Sequence, residues 1–195
     1  MLSYKESLEI LKETEALQEG HFILSSGLHS KQYIQCAKLL SQPAKAVKIC
    51  ESLCEKIKNK FKSVDIVLSP AIGGIVIGYE VGRQLNKETI FAERQDTKLI
   101  LRRGFVINKN ANVLIVEDVI TTGKSVLECS SIIEECGANL VGYACLIDRS
   151  NDECLIKDQT ISQLKFNIKT FEKTNLPEDL KLITPIKPGS RSSLK

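Results

Sequence analysis

Between Val113 and Val126 the chain passes through four apolar residues, two acids, a hydroxyl-rich glycine turn and the onset of a helical pattern. An apolar run with no polar face reads as a strand buried on both sides of a sheet. A helix directly after it implies a strand–turn–helix unit of a parallel α/β sheet, and ligands of such sheets bind in the crevice beyond the carboxyl ends of the strands. Glu117 and Asp118 stand where this strand is expected to end. The turn at 121–125 offers successive backbone N–H groups at a helix start, together with three hydroxyls, a setting that favours a phosphate dianion. The acids would repel that phosphate; their natural targets are hydroxyl groups. Diol-binding acids beside a phosphate-binding turn describe a ribose 5-phosphate, held by Glu117, Asp118, Val119, Ile120, Thr121, Thr122, Gly123, Lys124 and Ser125.

Two other readings of this run compete. Gly123-Lys124-Ser125 matches the end of the nucleotide-binding pattern G-x-x-x-x-G-K-[ST], but its first glycine would fall at Asp118, where an acid would face the phosphates. The second takes Glu117 and Asp118 as solvated acids at a strand end. Two adjacent acids, a hydroxylated turn and a helix start in one register speak against it.

Helices and strands alternate around this unit. Residues 3–17 form an amphipathic helical pattern stopped by Gly20, and residues 20–37 suit a short strand or hairpin around a Ser-Ser-Gly turn. Pro43 opens a helix to about Lys60, with Val47, Cys50, Leu53, Cys54 and Ile57 on its inner face. Strands are expected at 64–68, 89–92, 113–116 and 140–147, with helices after the turns at 69–74 and 121–125. A further strand is expected at 164–171. Residues 93–110 break the alternation: polar and dense in charge, they suit a hairpin or a mobile lid. The whole reads as one α/β domain with a mostly parallel sheet covered on both faces.

Composition narrows the function. A net charge of +3 over 195 residues is too small for a nucleic-acid partner, which calls for a concentrated basic stripe. Seven scattered cysteines fit neither a zinc site nor a secreted disulfide scaffold and read as reduced thiols. The N-terminal residues lack an apolar signal core and no stretch is long enough to span a membrane, so a soluble, cytoplasmic protein is expected. His21 and His29 read as structural.

Residues 113–126 resemble the ribose-diphosphate signature of the type I phosphoribosyltransferases. Further blocks follow in order: residues 20–27 with His29 and Ser30, 69–74, 91–94, 101–105, Asp148 with Arg149, and a tail block at 187–191. Together they resemble the orotate-using branch of that family over nearly the whole chain. The resemblance implies an open, mostly parallel sheet flanked by helices. A core of about 43–150 would carry a small hood formed by segments 1–40 and 151–195 and a mobile lid at about 93–110. It implies transfer of the phosphoribosyl group from 5-phosphoribosyl 1-diphosphate to N1 of orotate, in pyrimidine biosynthesis, by a homodimer. Mg²⁺ would be held by the diphosphate, the ribose hydroxyls and water, with no direct side-chain ligand. Another base, or a regulatory nucleic-acid-binding protein on the same fold, are the alternatives.

Site roles follow from the same resemblance. Gly73 and Gly74 would form the turn beside the diphosphate; Arg94, Lys98 and Arg102 would meet it from the lid. Arg94, Lys98 and Asp118 would carry the catalytic work. Orotate would be held by Thr121 and Arg149, with Phe22, Ser25, Ser26 and Gly27 on its other side. The chain departs from the best-known branch at Gly73 and Ser25, where that branch has lysines, and in a lid that reads Glu93-Arg-Gln-Asp-Thr-Lys98.

Overall fold

Period-2 alternation along the strands builds two cores on opposite faces of one sheet. A computed structural model describes residues 1–24, 26–150 and 154–188. In chain order it contains α1 (Tyr4–Glu13), β1 (Leu17–Ile23), β2 (His29–Ile34), α2 (Cys36–Leu40), α3 (Pro43–Lys60), β3 (Ile66–Pro70) and α4 (Gly73–Leu85). These are followed by β4 (Glu88–Gln95), β5 (Lys98–Leu101), β6 (Asn112–Ile120), α5 (Lys124–Glu135), β7 (Asn139–Asp148), β8 (Thr160–Lys165), β9 (Thr170–Phe171) and α6 (Glu178–Lys181). The large sheet has the order β5-β4-β3-β6-β7-β8 and is parallel except for β5. Val67, Leu114, Val116, Ala144 and Leu146 face α3 and α4, whereas Leu68, Val113, Ile115, Tyr143 and Cys145 face α5. The expected fully buried parallel strands are therefore present. α4 lies close on the sheet because Gly78 and Gly82 carry no Cβ where Ser69 and Thr89 sit.

A second sheet, β1-β2-β9, joins the N-terminal hairpin to the tail. Ile23 and Ile186 extend the union through backbone bonds, Ile23 N to the Ile186 carbonyl and Ile186 N to the His21 carbonyl, each 2.8 Å.

Several boundaries differ from the sequence expectations. The first helix stops at Glu13, not near Leu17, because Thr14 caps it and Glu15 takes a left-handed φ of 54°. Ser3 and Glu6 form a capping box at its start. Gly20 lies inside β1 rather than ending a helix. The single strand expected at 164–171 is two: β8 pairs with β7 in the large sheet and β9 with β2 in the small one. The large-sheet unit thus reaches past 150, and α1 packs against β8, where Gln163 donates to the Ser7 hydroxyl at 2.8 Å.

Residues 93–110 begin as a hairpin. β4 continues to Gln95, turns at Asp96 (φ 53°) and returns as β5. Leu99 is buried against Val126, Cys129 and Ile133 of the α5 side, which fastens the hairpin to the core. Phe105 then packs edge-on against Phe91 at 5.1 Å.

Candidate active site

The site opens where β3 and β6 part. Their pairing ends at Leu68–Ile115, while β6 stays paired with β7 as far as Ile120–Asp148. The strand therefore does not end before the acids, as the sequence suggested; Glu117 and Asp118 lie within it, because β7 continues to supply backbone partners. On the β3 side the chain turns away at Pro70 and starts α4 at Gly73, leaving a crevice in front of the two acids.

The pleat starts the two side chains on opposite sides of the strand, and both carboxylates end beside the start of α4. Glu117 leaves the strand on the side of Val113 and Ile115, and Asp118 on the side of Leu114 and Val116. Glu117 Oε1 accepts from Asp118 N at 3.0 Å, and Asp118 Oδ1 accepts from Val119 N at 2.8 Å. Gly73 and Gly74 make room for them: a Cβ at 73 would lie 2.9 Å from Asp118 Oδ1, and one at 74 would lie 3.1 Å from Glu117 Oε1. The glycine pair at the start of α4 is thus a clearance for the acids.

Beyond β6 the turn bends into α5. Gly123 has φ 77°, a left-handed conformation that side chains resist, and a Cβ there would meet Ile156 at 3.2 Å and Cys154 at 3.3 Å. Lys124 N donates to Thr122 Oγ1 at 3.4 Å. Glu117, Val119, Ile120, Thr121, Thr122, Gly123, Lys124, Ser125 and Val126 surround a small pocket of about 60 Å³. With about 10–15 Å³ of such space needed for one water, this suits a group of a few heavy atoms such as a phosphate.

Among the described residues neither acid is in an ion pair. Burial first, then the charge of Asp118 beside it, lifts the Glu117 carboxyl from the usual 4.5 to about 9. The buried thiols nearby, Cys36 and Cys145, are pushed well above their usual range by burial and stay protonated. Because folded Glu117 holds its proton more tightly than the unfolded chain does, folding binds a proton between these two values and stability falls as pH rises through that window. Glu117→Gln is expected to remove this loss: its Tm should exceed the wild type at pH 9 and match it near pH 5. Parallel Tm curves for the two proteins across that range would show the carboxyl ionises freely.

Arg149 joins the turn from the next strand end. Its N donates to the Ile120 carbonyl at 2.8 Å, and its Nε is buried without a hydrogen-bond partner among the described residues. Burial makes the guanidinium charge costly and lowers its pKa. Tyr33 of β2 lies within the electrostatic reach of both Arg149 and Asp118, and burial raises its hydroxyl. Its ring packs on Phe22 at 5.7 Å. Phe22 is buried, while Ser26 and Gly27 are exposed on a loop closed by Gly27 N to the Leu24 carbonyl at 2.9 Å. Ser25 and the 189–191 part of the tail block lie outside the described residues.

The hairpin cations divide. Arg94 binds Glu128 of α5 through both Nη atoms, at 3.0 and 3.2 Å, and the Thr97 carbonyl at 2.8 Å. Arg103 binds Glu93 and lies over the Phe91 ring at 5.7 Å. Lys98 and Arg102 are exposed and make no ion pair among the described residues. The structure therefore gathers Glu117, Asp118, the turn, Gly73, Gly74 and Arg149, and leaves the hairpin cations outside the pocket. Tyr33 and Glu128 were missed from sequence. Tyr33 sits in a polar stretch without a motif, and Glu128, four residues after Lys124, reads as half of a helix-face ion pair. His21 and His29 are a buried pair, Nε2 to Nδ1 at 2.6 Å, with His21 Nδ1 on the Ile183 carbonyl at 2.8 Å, as a structural role requires.

A family model described as phosphoribosyl transferase domain matches residues 37–179. The chain belongs to this phosphoribosyltransferase family. The match spans the crevice, the turn and Arg149. The protein is 45% identical over 184 residues to orotate phosphoribosyltransferase of Caldicellulosiruptor saccharolyticus, covering 94% of this chain and 95% of that one. Orotate phosphoribosyltransferase of Aeropyrum pernix superposes with a TM-score of 0.72 at 23% identity, over 81% of this phosphoribosyltransferase and 92% of that chain. Adenine phosphoribosyltransferase of Saccharomyces cerevisiae superposes with a TM-score of 0.63 at 16% identity, over 80% and 99%. Likeness at these structural identities is one of fold; the base is decided elsewhere. No helix among the described residues is long and apolar enough to cross a membrane.

Proposed function

We propose that this phosphoribosyltransferase moves the 5-phosphoribosyl group from 5-phosphoribosyl 1-diphosphate to N1 of orotate, yielding orotidine 5′-phosphate and diphosphate in the cytoplasmic synthesis of pyrimidine nucleotides. The observation that carries the choice of base is Arg149, a half-buried cation beside the turn whose Nε is buried and has no hydrogen-bond partner among the described residues. Orotate is a flat ring with a carboxylate, which needs such a cation. The relative from Caldicellulosiruptor saccharolyticus, named for orotate, supports the same choice.

The reaction breaks the ribose C1–O bond to diphosphate and forms a bond from C1 to N1 of the base; the N1 proton leaves to solvent. The turn at Thr121, Thr122, Gly123, Lys124 and Ser125 holds the 5′-phosphate, with Val119 and Ile120 leading into it. Glu117 and Asp118 accept from the ribose hydroxyls, fixing C1 between base and leaving group. The turn at Gly73 and Gly74 runs beside the diphosphate. Lys98 and Arg102, uncommitted in the hairpin, meet its growing charge, while Arg94 stays on Glu128 beside them. Thr121, Phe22, Ser26 and Gly27 enclose the ring of orotate around Arg149, with Tyr33 added to that set.

Mg²⁺ belongs to this reading as a companion of the diphosphate. Among the described residues no three His, Cys, Asp or Glu side chains converge, and Glu117 and Asp118 are the acids at the crevice. That oxygen-only surrounding suits an ion that keeps its waters and rides on ligand oxygens. Bound there, it would neutralise part of the charge on the leaving group.

Incubation with labelled 5-phosphoribosyl 1-diphosphate and a panel of bases tests the assignment. Turnover of orotate with Mg²⁺ is expected; turnover of adenine, hypoxanthine or uracil in its place rejects it.

A homodimer completes the reading. Ile72, Val76 and Tyr79, exposed by 84%, 52% and 66%, make an apolar stripe along α4 beside the diphosphate turn. Burying it against a second copy would bring a neighbour to the site. Sedimentation is expected to give a dimer, and Val76→Glu with Tyr79→Asp a monomer. A wild-type monomer with full turnover would count against it.

A further inference from the structure

Glu128 lies one turn into α5, four residues past Lys124, and its carboxylate gathers three donors from the hairpin. Arg94 Nη1 and Nη2 bind it at 3.0 and 3.2 Å, and Leu99 N binds it at 3.2 Å. β5 is the edge strand of the large sheet, so its outward amide needs a partner, and Glu128 provides one. Arg94 Nη1 also holds the Thr97 carbonyl at 2.8 Å, closing β4, the hairpin turn, β5 and α5 into one ring of bonds. Leu99 beneath it is 5% exposed, so the ring stands on a packed base.

An ordinary exposed ion pair would be worth little, since water screens it and long side chains resist fixing. This one is bidentate on the arginine side and also takes a neutral backbone donor, which fixes its geometry. The carboxylate sits on the helix whose first residues form the phosphate-binding turn. Lys98 directly precedes Leu99, and Arg102 directly follows β5. We propose that Glu128 is a positioning residue that ties the hairpin to the phosphate-binding helix, so that filling the turn orders the strand presenting Lys98 and Arg102. This rests on the ribose-diphosphate reading of the turn. Glu128 touches neither substrate; it acts through Arg94 and the Leu99 amide.

Glu128→Gln keeps the shape and loses the charge. Amide hydrogen exchange of residues 94–101 and 121–127 should be followed with and without 5-phosphoribosyl 1-diphosphate, alongside steady-state kinetics. In the wild type the ligand should slow exchange in both segments. In Glu128→Gln the turn should still be protected while hairpin exchange quickens about 10-fold, and the KM for 5-phosphoribosyl 1-diphosphate should rise about 10-fold. The KM for orotate should hold. Unchanged hairpin exchange overturns the proposal, as does an equal rise in both KM values with a lowered Tm, which a general loss of stability would produce. If the ligand fails to protect the turn even in the wild type, the functional reading falls. The hairpin's exchange without ligand then decides the role of Glu128: faster in the variant supports it, unchanged rejects it.

Discussion

Asparagine at position 118 is expected to leave the fold intact and to lower turnover by about 10²-fold or more. The amide fills the same space beside Gly73, and its oxygen still accepts from Val119 N, as Asp118 Oδ1 does at 2.8 Å. What is lost is a charged acceptor for a ribose hydroxyl, replaced on one side by a donor. The reacting carbon then drifts from line, and a small misplacement there is costly. The same change removes the negative charge beside Glu117, the second cause of its raised pKa after burial. Glu117 should therefore titrate lower in the variant, and the decline of Tm with rising pH should flatten. Steady-state turnover and Tm against pH measure both effects. Turnover near the wild-type rate would mean the sugar lies elsewhere.

Arg149→Ala is expected to raise the KM for orotate by roughly 10- to 150-fold, the range set by about 1.5–3 kcal/mol for a hydrogen bond to a charged group. The KM for 5-phosphoribosyl 1-diphosphate should change little, since the turn and the acids are untouched. Stability should hold as well: Nε has no hydrogen-bond partner among the described residues, and its desolvated charge is a cost. The decisive comparison is between orotate and uracil, which lacks the carboxylate. The wild type should prefer orotate strongly and the variant should lose most of that preference. A retained preference would move the carboxylate to another partner, and Tyr33 would be the first residue to examine.

Much of the framework was legible because the signals were local. Pro43 marks the start of α3, Gly137 follows α5, and the apolar run at 113–116 is the heart of β6. The phosphate turn was legible for the same reason, since its hydroxyls, glycine and helix start are contiguous. What sequence could not reveal depended on partners far along the chain. Whether β6 ended at Val116 or Ile120 was decided by β7, whose residues 145–148 carry the pairing onward. The tail strand divided because β7 and β2 each offered an edge to it. Arg94 was read as a lid cation, and its hold on Glu128 could not be foreseen from 34 positions away. Gly73 and Gly74 were read as the turn beside the diphosphate; that they also clear space for the acids depends on β6, more than 40 positions along the chain.

The clearance at Gly73 and Gly74 couples both acids to the first turn of α4, so any enlargement of that turn would press on the two carboxylates at once.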